Sequence, residues 1–365
     1  MQSFLYNAHP ARVIFGRGTL ARLPEEVERL GLARVLVLAT AAQEGAARDA
    51  AARIGARAAG VFAGARMHTP ADVTEQALAL VRRLSADGLV AVGGGSTIGL
   101  GKAIALRTDL PQVVVPTTYA GSEMTPILGE TRDGRKVTQS APAILPETVL
   151  YDVDLTMTLP VALTVTSGIN AMAHAVEALY ARERNPVVSL MAEEGIAALA
   201  RALPRLAAGT IAGGGLAGDA GAYADARSAA LYGAWLCGIC LGSVGMALHH
   251  KLCHTLGGTF DLPHAETHTA LLPHAVAYNR SAAPDAMARI ARALGTGDAA
   301  GGLFTLASSL GATMALRDLG LPREGIEETV RLALANPYWN PRALEADALR
   351  DLLARAWAGA PPAGA

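Results

Sequence analysis

The strongest constraint on the fold is a change of rhythm near residue 155. Before it, short runs of strand length alternate with helix-favouring stretches. Val35–Leu38 is followed by an Ala-rich segment at 41–54, Val61-Phe62 is a weaker run, and Gly88–Val92 and Val113–Val115 come next. Pro70 stands where a helix reaching Ala86 begins. Strands alternating with helices predict βαβ units, hence a parallel sheet covered on both faces. After about residue 155, long Ala- and Leu-rich stretches lack strand-like alternation. Helices are expected over 160–182, 186–206, 225–256, 282–294, 302–318, 323–334 and 342–357, with a loop at 209–221 and a frayed tail. The expected organisation is therefore an α/β domain over residues 1–155 and an all-helical domain over 156–365.

Composition narrows the function classes. With 31 Lys+Arg against 32 Asp+Glu, the net charge of -1 lacks the basic footprint of a general nucleic-acid binder. A chain of 365 residues, 51% hydrophobic, needs no disulfide staple. Its three cysteines (Cys237, Cys240 and Cys253) lie in one apolar region and read as buried thiols in a cytoplasmic protein. The first residues, Met1 to Tyr6, lack the basic start and apolar run of a secretory signal. Residues 228–248 carry no charge and are long enough to span a bilayer. Gly233, Gly238, Gly242 and Gly245 and the following His249-His250-Lys251 favour a closely packed core helix, so no membrane is expected.

Two patterns carry chemistry. Leu89–Val92 runs into Gly93-Gly-Gly-Ser96, and residues 97–102 open a helix. Glycines without Cβ atoms ahead of a helix N-terminus can cradle a phosphate, with Ser96 at the N-cap; the same residues also make a plain strand-to-helix turn. The chain has only three lysines, Lys102, Lys136 and Lys251, which read as surface groups or as ammonium groups near cofactor phosphates. Six of nine histidines fall between 249 and 274. His250 and His254, His264 and His268, and earlier Asn170 and His174 are each four apart, so each pair shares a helix face. Such density suits a polar site that holds a metal, donates protons or binds an anion.

Taken together, several segments resemble the iron-containing alcohol dehydrogenase superfamily over nearly the whole chain, and within it the maleylacetate reductases. They are Val13 to Gly18, Gly93 to Ser96 with Lys102, Pro116 to Pro126, Tyr151 to Asp154, Gly168 to His174, His249 to His268, and Asn336 to Arg342. The resemblance implies a nucleotide-binding α/β domain, a helical domain and an active site in the cleft between them. It implies that Gly94, Gly95 and Ser96 hold a cofactor pyrophosphate, with Thr117, Thr118 and Lys136 on the nucleotide. The superfamily's metal ligands, an Asp and three His, fall on Asn170, His174, His250 and His264, and His254 matches a further active-site histidine. His250, His254, His174 and His264 are thus the expected catalytic set, and Tyr119, Asn170, His268 and Arg342 the expected substrate contacts.

The sequence departs from the family pattern twice. An amide, Asn170, replaces the ligand carboxylate, and Gly99 stands where metal-dependent members commonly have Asp. Both changes remove negative charge, which suits a dianionic substrate, and lead to the expectation that no metal is required. The implied activity is NADH- or NADPH-dependent reduction of the C2=C3 bond of maleylacetate to 3-oxoadipate, in the breakdown of aromatic and chloroaromatic compounds, by a cytoplasmic homodimer. The alternative is a metal-dependent alcohol dehydrogenase acting on a small carbonyl.

Overall fold

Alternating side chains decide how the first half of the chain packs. In β2 (Val35–Leu38), Val35 and Val37 join one apolar cluster while Leu36 and Leu38 join another. Every residue of this strand is buried, as befits a sheet covered on both faces. The computed structural model describes residues 4–9, 12–132, 135–209 and 219–364.

The other strands are β1 (Arg12–Gly16), β3 (Ala58–Phe62), β4 (Gly88–Gly93), β5 (Gln112–Pro116), β6 (Ile127–Arg132), β7 (Arg135–Ser140) and β8 (Thr148–Asp152). Six of them form one sheet in the order β1-β8-β5-β4-β2-β3, each neighbouring pair parallel. β6 and β7 pair as a separate antiparallel ribbon. Helices α1 (Leu23–Arg29), α2 (Glu44–Ile54), α3 (Ala71–Leu84) and α4 (Gly95–Thr108) complete this unit, which runs from Ala8 to Leu159. β3 lies on one side of β2 and β4 on the other. At such a switch point, ligands bind beyond the carboxyl ends of the strands.

Residues 4–7 pack with the remainder of the chain in a second unit that is helical throughout. Its helices are α5 (Val161–Tyr180), α6 (Pro186–Ala208), α7 (Ala220–Ser243), α8 (Leu248–Phe260), α9 (His264–Asn279), α10 (Pro284–Leu294), α11 (Ala299–Ser309), α12 (Gly325–Ala335) and α13 (Ala346–Ala358). α6 and α7 pack at glycines: a Cβ on Gly233 would lie 3.0 Å from the Gly195 carbonyl oxygen.

Three expectations are corrected. The single helix over 225–256 is two helices, α7 and α8, bent by 94° at the break. Val244 is extended there, and Glu177 accepts hydrogen bonds from the backbone N–H groups of Ala247 and His249, which opens α8 afresh. Among the described residues no single helix is long and apolar enough to cross a membrane. The C-terminal residues are not frayed: Ala360 donates to the Arg355 carbonyl and Arg280 donates to that of Gly364. Ser96 is not the cap of α4, which has Gly94 at that position. The central part of the expected 209–221 loop lies outside the described residues.

Candidate functional site

In the α/β unit, the glycine turn and the Thr117-Thr118 pair sit at the carboxyl ends of adjacent strands. Gly93 of β4 pairs with Pro116 of β5, and Thr117 N–H donates to the Gly93 carbonyl at 3.1 Å. Gln43, just before α2, donates to Thr117 Oγ1 at 2.6 Å and so ties the end of β2 to the same edge. The close approach requires glycine: a Cβ on Gly94 would lie 2.9 Å from Thr118 Oγ1, and Gly93 has φ +158. Gly95 is exposed and Gly94, Ser96 and Thr118 half-buried, at the N-terminus of α4 where backbone N–H groups favour an anion. The Lys136 side chain lies outside the described residues.

Lys102 points elsewhere. It is fully buried, and its ammonium donates to the Ser122 carbonyl, Thr125 carbonyl, Thr125 Oγ1, Ile127 carbonyl and Ser122 Oγ. These contacts fasten the segment that follows Thr117-Thr118. Burial pushes its pKa down to about 7, against the opposing charge of Glu123. Glu123 is itself buried and accepts from Tyr151 at 2.7 Å. Reading Lys102 as a phosphate contact is therefore corrected: its donors are spent inside the fold. Tyr119 is fully buried in the same unit, leaving no exposed surface for the expected substrate contact.

The helical unit gathers the histidines. Asn170, His174 and Glu177 follow one another at i, i+4 and i+7 on α5, so they line one face. His250 and His254 share a face of α8, and His264 and His268 a face of α9. Ring centroids are 5.2 Å apart for His174 and His250, 4.9 Å for His250 and His268, and 4.4 Å for His264 and His268. His250 Nδ1 is hydrogen-bonded to Glu177 at 2.8 Å. That bond leaves His250 Nε2 buried and without a partner among the described residues, as are His174 Nδ1 and Asn170 Oδ1.

Behind them, His249 Nε2 and His268 Nδ1 are hydrogen-bonded at 3.0 Å, with Cys253 Sγ 3.7 Å from His249. Burial, reinforced by the neighbouring imidazoles, holds His174, His249 and His268 well below the usual histidine pKa. His254 and His264 are only half-buried, and His254 Nδ1 is 3.2 Å from the Tyr338 hydroxyl.

Two expected substrate contacts take other positions. His268 is fully buried and held by His249. Arg342 stacks 4.2 Å over the Tyr278 ring, donates to the Tyr278 carbonyl and lines a small cavity with His274 and Arg355. Two residues are given no role by the sequence, Glu177 and Tyr338, and His249 counts there only as a member of the histidine cluster. Glu177 had a signal, since it extends the Asn170–His174 spacing by one further turn. Tyr338 lies in the Asn336–Arg342 segment that carries the resemblance, but no local pattern shows that it reaches His254 from 84 residues away.

A family model described as "Iron-containing alcohol dehydrogenase" matches residues 10–153, and one described as "Fe-containing alcohol dehydrogenase family, C-terminal" matches residues 164–357. A maleylacetate reductase of Rhizobium sp. (strain MTP-10005) is 55% identical over 362 residues, 99% of this chain and 100% of its own. The crystal structure of a putative alcohol dehydrogenase from Ralstonia eutropha JMP134 is similar at a TM-score of 0.95 and 55% identity, covering 99% of this chain and 100% of that one. That of a maleylacetate reductase from Agrobacterium tumefaciens is similar at 0.93 and 56%, with the same coverage.

The expectation that no metal is required is overturned. Both matched models describe iron-containing enzymes. The residues also fit a metal: Asn170 Oδ1, His174 Nδ1 and His250 Nε2 are buried, unpartnered lone-pair donors, and neutral nitrogen and oxygen ligands suit a divalent transition ion. Beside them, the ligand atoms of His249, Cys253 and His268 lie within 4.8 Å of one another. Losing the ligand carboxylate lowers the negative charge of the donor set without abolishing it as a donor set.

Proposed function

The chain belongs to the iron-containing alcohol dehydrogenase family, and on that premise we propose that it uses NADH or NADPH to reduce the C2=C3 double bond of maleylacetate (4-oxohex-2-enedioate) to 3-oxoadipate. The observation that carries this reading is the end-to-end identity, above one half, with relatives named for that reaction.

The chemistry divides between the two units. Gly94, Gly95 and Ser96 hold the cofactor pyrophosphate on the α4 N-terminus, and Thr117 and Thr118 border it. Thr40, at the end of β2, has no carboxylate to repel a 2′-phosphate, so both coenzymes serve. Hydride from nicotinamide C4 adds at C2, the carbon β to the C4 ketone, and charge collects on the ketone oxygen. Product formation then needs one proton at C3.

Asn170, His174, His250 and His264 would hold the family's metal, which when bound supplies a Lewis acid toward a substrate oxygen. Glu177 fixes the His250 tautomer so that Nε2 keeps its lone pair. His254, half-buried and braced by Tyr338, donates the proton to C3; positioned acid catalysis of this kind contributes roughly 10²–10⁴-fold. His249 and His268 stay neutral and hold the wall of the pocket. Three buried thiols suit a reducing cytoplasm, and the working form is a homodimer.

The test is NADH and NADPH consumption with freshly generated maleylacetate and identification of the product. 3-Oxoadipate with one reductant consumed supports the reading. A product that keeps the double bond and carries a hydroxyl at C4 would establish the carbonyl-reducing alternative.

A further inference from the structure

Lys251 is one of only three lysines in the chain and stands next to His250 on α8. It is half-buried, and among the described residues it makes no ion pair and no hydrogen bond through its ammonium group. Its side-chain neighbour is an aromatic face: Nζ lies 5.6 Å over the Tyr338 ring. The hydroxyl of that ring is bonded to His254. Lys251, Tyr338 and His254 therefore form one contiguous set whose charged end has no counter-ion. An ammonium left partly desolvated without a carboxylate costs stability unless another anion visits. Glu177, the acidic group on the face of α5 that carries Asn170 and His174, is committed to His250 and to the start of α8.

We infer that Lys251 is the specificity-determining residue that binds one carboxylate of the dianionic substrate beside the proton-donating His254. The inference deepens the reductase reading and rests on it. Lysine suits the task because a compact point charge on a flexible stem follows a carboxylate without demanding bidentate geometry. The Tyr338 face keeps the ammonium close to the cluster in the absence of substrate.

The experiment compares the wild-type holoenzyme with Lys251→Met and Lys251→Arg. In Lys251→Met, KM for maleylacetate should rise at least tenfold, while kcat falls less than threefold and KM for NADH stays within twofold. Lys251→Arg should recover part of the lost affinity. Binding of adipate, a non-reacting six-carbon dianion, is followed in parallel by thermal shift. Wild type should be stabilised and Lys251→Met should not. That arm needs no turnover, so it reports on Lys251 even if maleylacetate proves not to be the substrate. An unchanged KM together with unchanged adipate binding would overturn the inference. So would a loss confined to kcat, which would make Lys251 a proton donor.

Discussion

The two units treat their lysines in opposite ways. In the α/β unit, Lys102 is wholly buried and its ammonium reaches five oxygens across residues 122–127, with the Glu123 charge nearby. In the helical unit, Lys251 is half-buried, its ammonium lies over the Tyr338 ring, and it has no ion pair among the described residues. The same contrast extends to their neighbours. Lys102 is hydrogen-bonded to residues 122–127 and Glu123 Oε1 to Tyr151, leaving only Glu123 Oε2 of this group unpartnered among the described residues, whereas Asn170, His174 and His250 keep buried atoms without partners there. A polar group that is buried and satisfied helps hold the fold together; several unsatisfied donors and acceptors on adjoining helix faces are open to an ion, a water or a ligand.

The largest effect expected from this contrast is on stability. Lys102→Met takes the ammonium away from the Ser122, Thr125 and Ile127 carbonyls and leaves Glu123 without its nearby positive charge, so it should destabilise the unit by about 3–5 kcal/mol in denaturant titrations. Lys251→Met should stay within about 0.5 kcal/mol of wild type. Adding Glu123→Gln to Lys102→Met should recover part of the loss; equal losses at the two lysines would erase the distinction between the units.

Next comes the carboxylate that holds the unsatisfied set in place. Glu177→Gln should lower metal content and activity roughly 10–100-fold, as loss of an outer-shell partner does elsewhere. Chelation of the wild type should abolish most activity, and adding back ferrous iron or zinc should restore it. Metal analysis by mass spectrometry separates this from a folding defect, and full activity in metal-free protein would refute it.

A smaller effect is expected at Gly99. A Cβ there would lie 2.3 Å from Thr69 Oγ1, so Gly99→Asp should cost about 1–3 kcal/mol through overpacking. Thr69→Gly should relieve much of that cost; no rescue in thermal melts would locate the strain elsewhere.

The smallest effect is the acid sensitivity of His274, buried in α9. Burial, helped by Arg355 and opposed by Asp351, lowers its pKa to about 4. The unfolded chain binds this proton near 6.5, so between those values it holds more protons than the folded one. The stabilisation is complete above 6.5 and fades as pH falls toward 4, by about 1 kcal/mol from pH 6.5 to 5.5. His274→Leu should flatten that part of the stability profile, and an unchanged slope would assign it to other groups.

Local pattern alone makes much of the fold legible. Of the four strands visible as apolar runs, β2, β4 and β5 stand out because they are buried throughout, and β3 is weaker because it is a half-buried edge strand. The amphipathic or Ala-rich helices are visible because one face of each is apolar. β1 and β8 escape notice because they are defined by pairing with each other across more than 130 residues, which no window reports. The break between α7 and α8 also escapes, since an uncharged run reads as one helix until Glu177 claims the N–H groups of Ala247 and His249. The coordinating face was legible as far as spacing reaches: Asn170 with His174, His250 with His254, His264 with His268.

By itself, then, the sequence determined the α/β-then-helical order, the glycine turn at a strand end, and which side chains share a helix face, because all three depend on short-range periodicity. Only the tertiary structure decided which polar groups were already satisfied. It turned Lys102 inward and buried Tyr119 and His268. It set Glu177 against His250 and Tyr338 against His254, and it left Lys251 without a counter-ion. The physical reason is that hydrogen-bond satisfaction and desolvation are properties of a group's neighbours in space, and those neighbours come from other segments, 19 residues away for His268 and His249, 20 for Lys102 and Ser122, 73 for Glu177 and His250 and 84 for Tyr338 and His254.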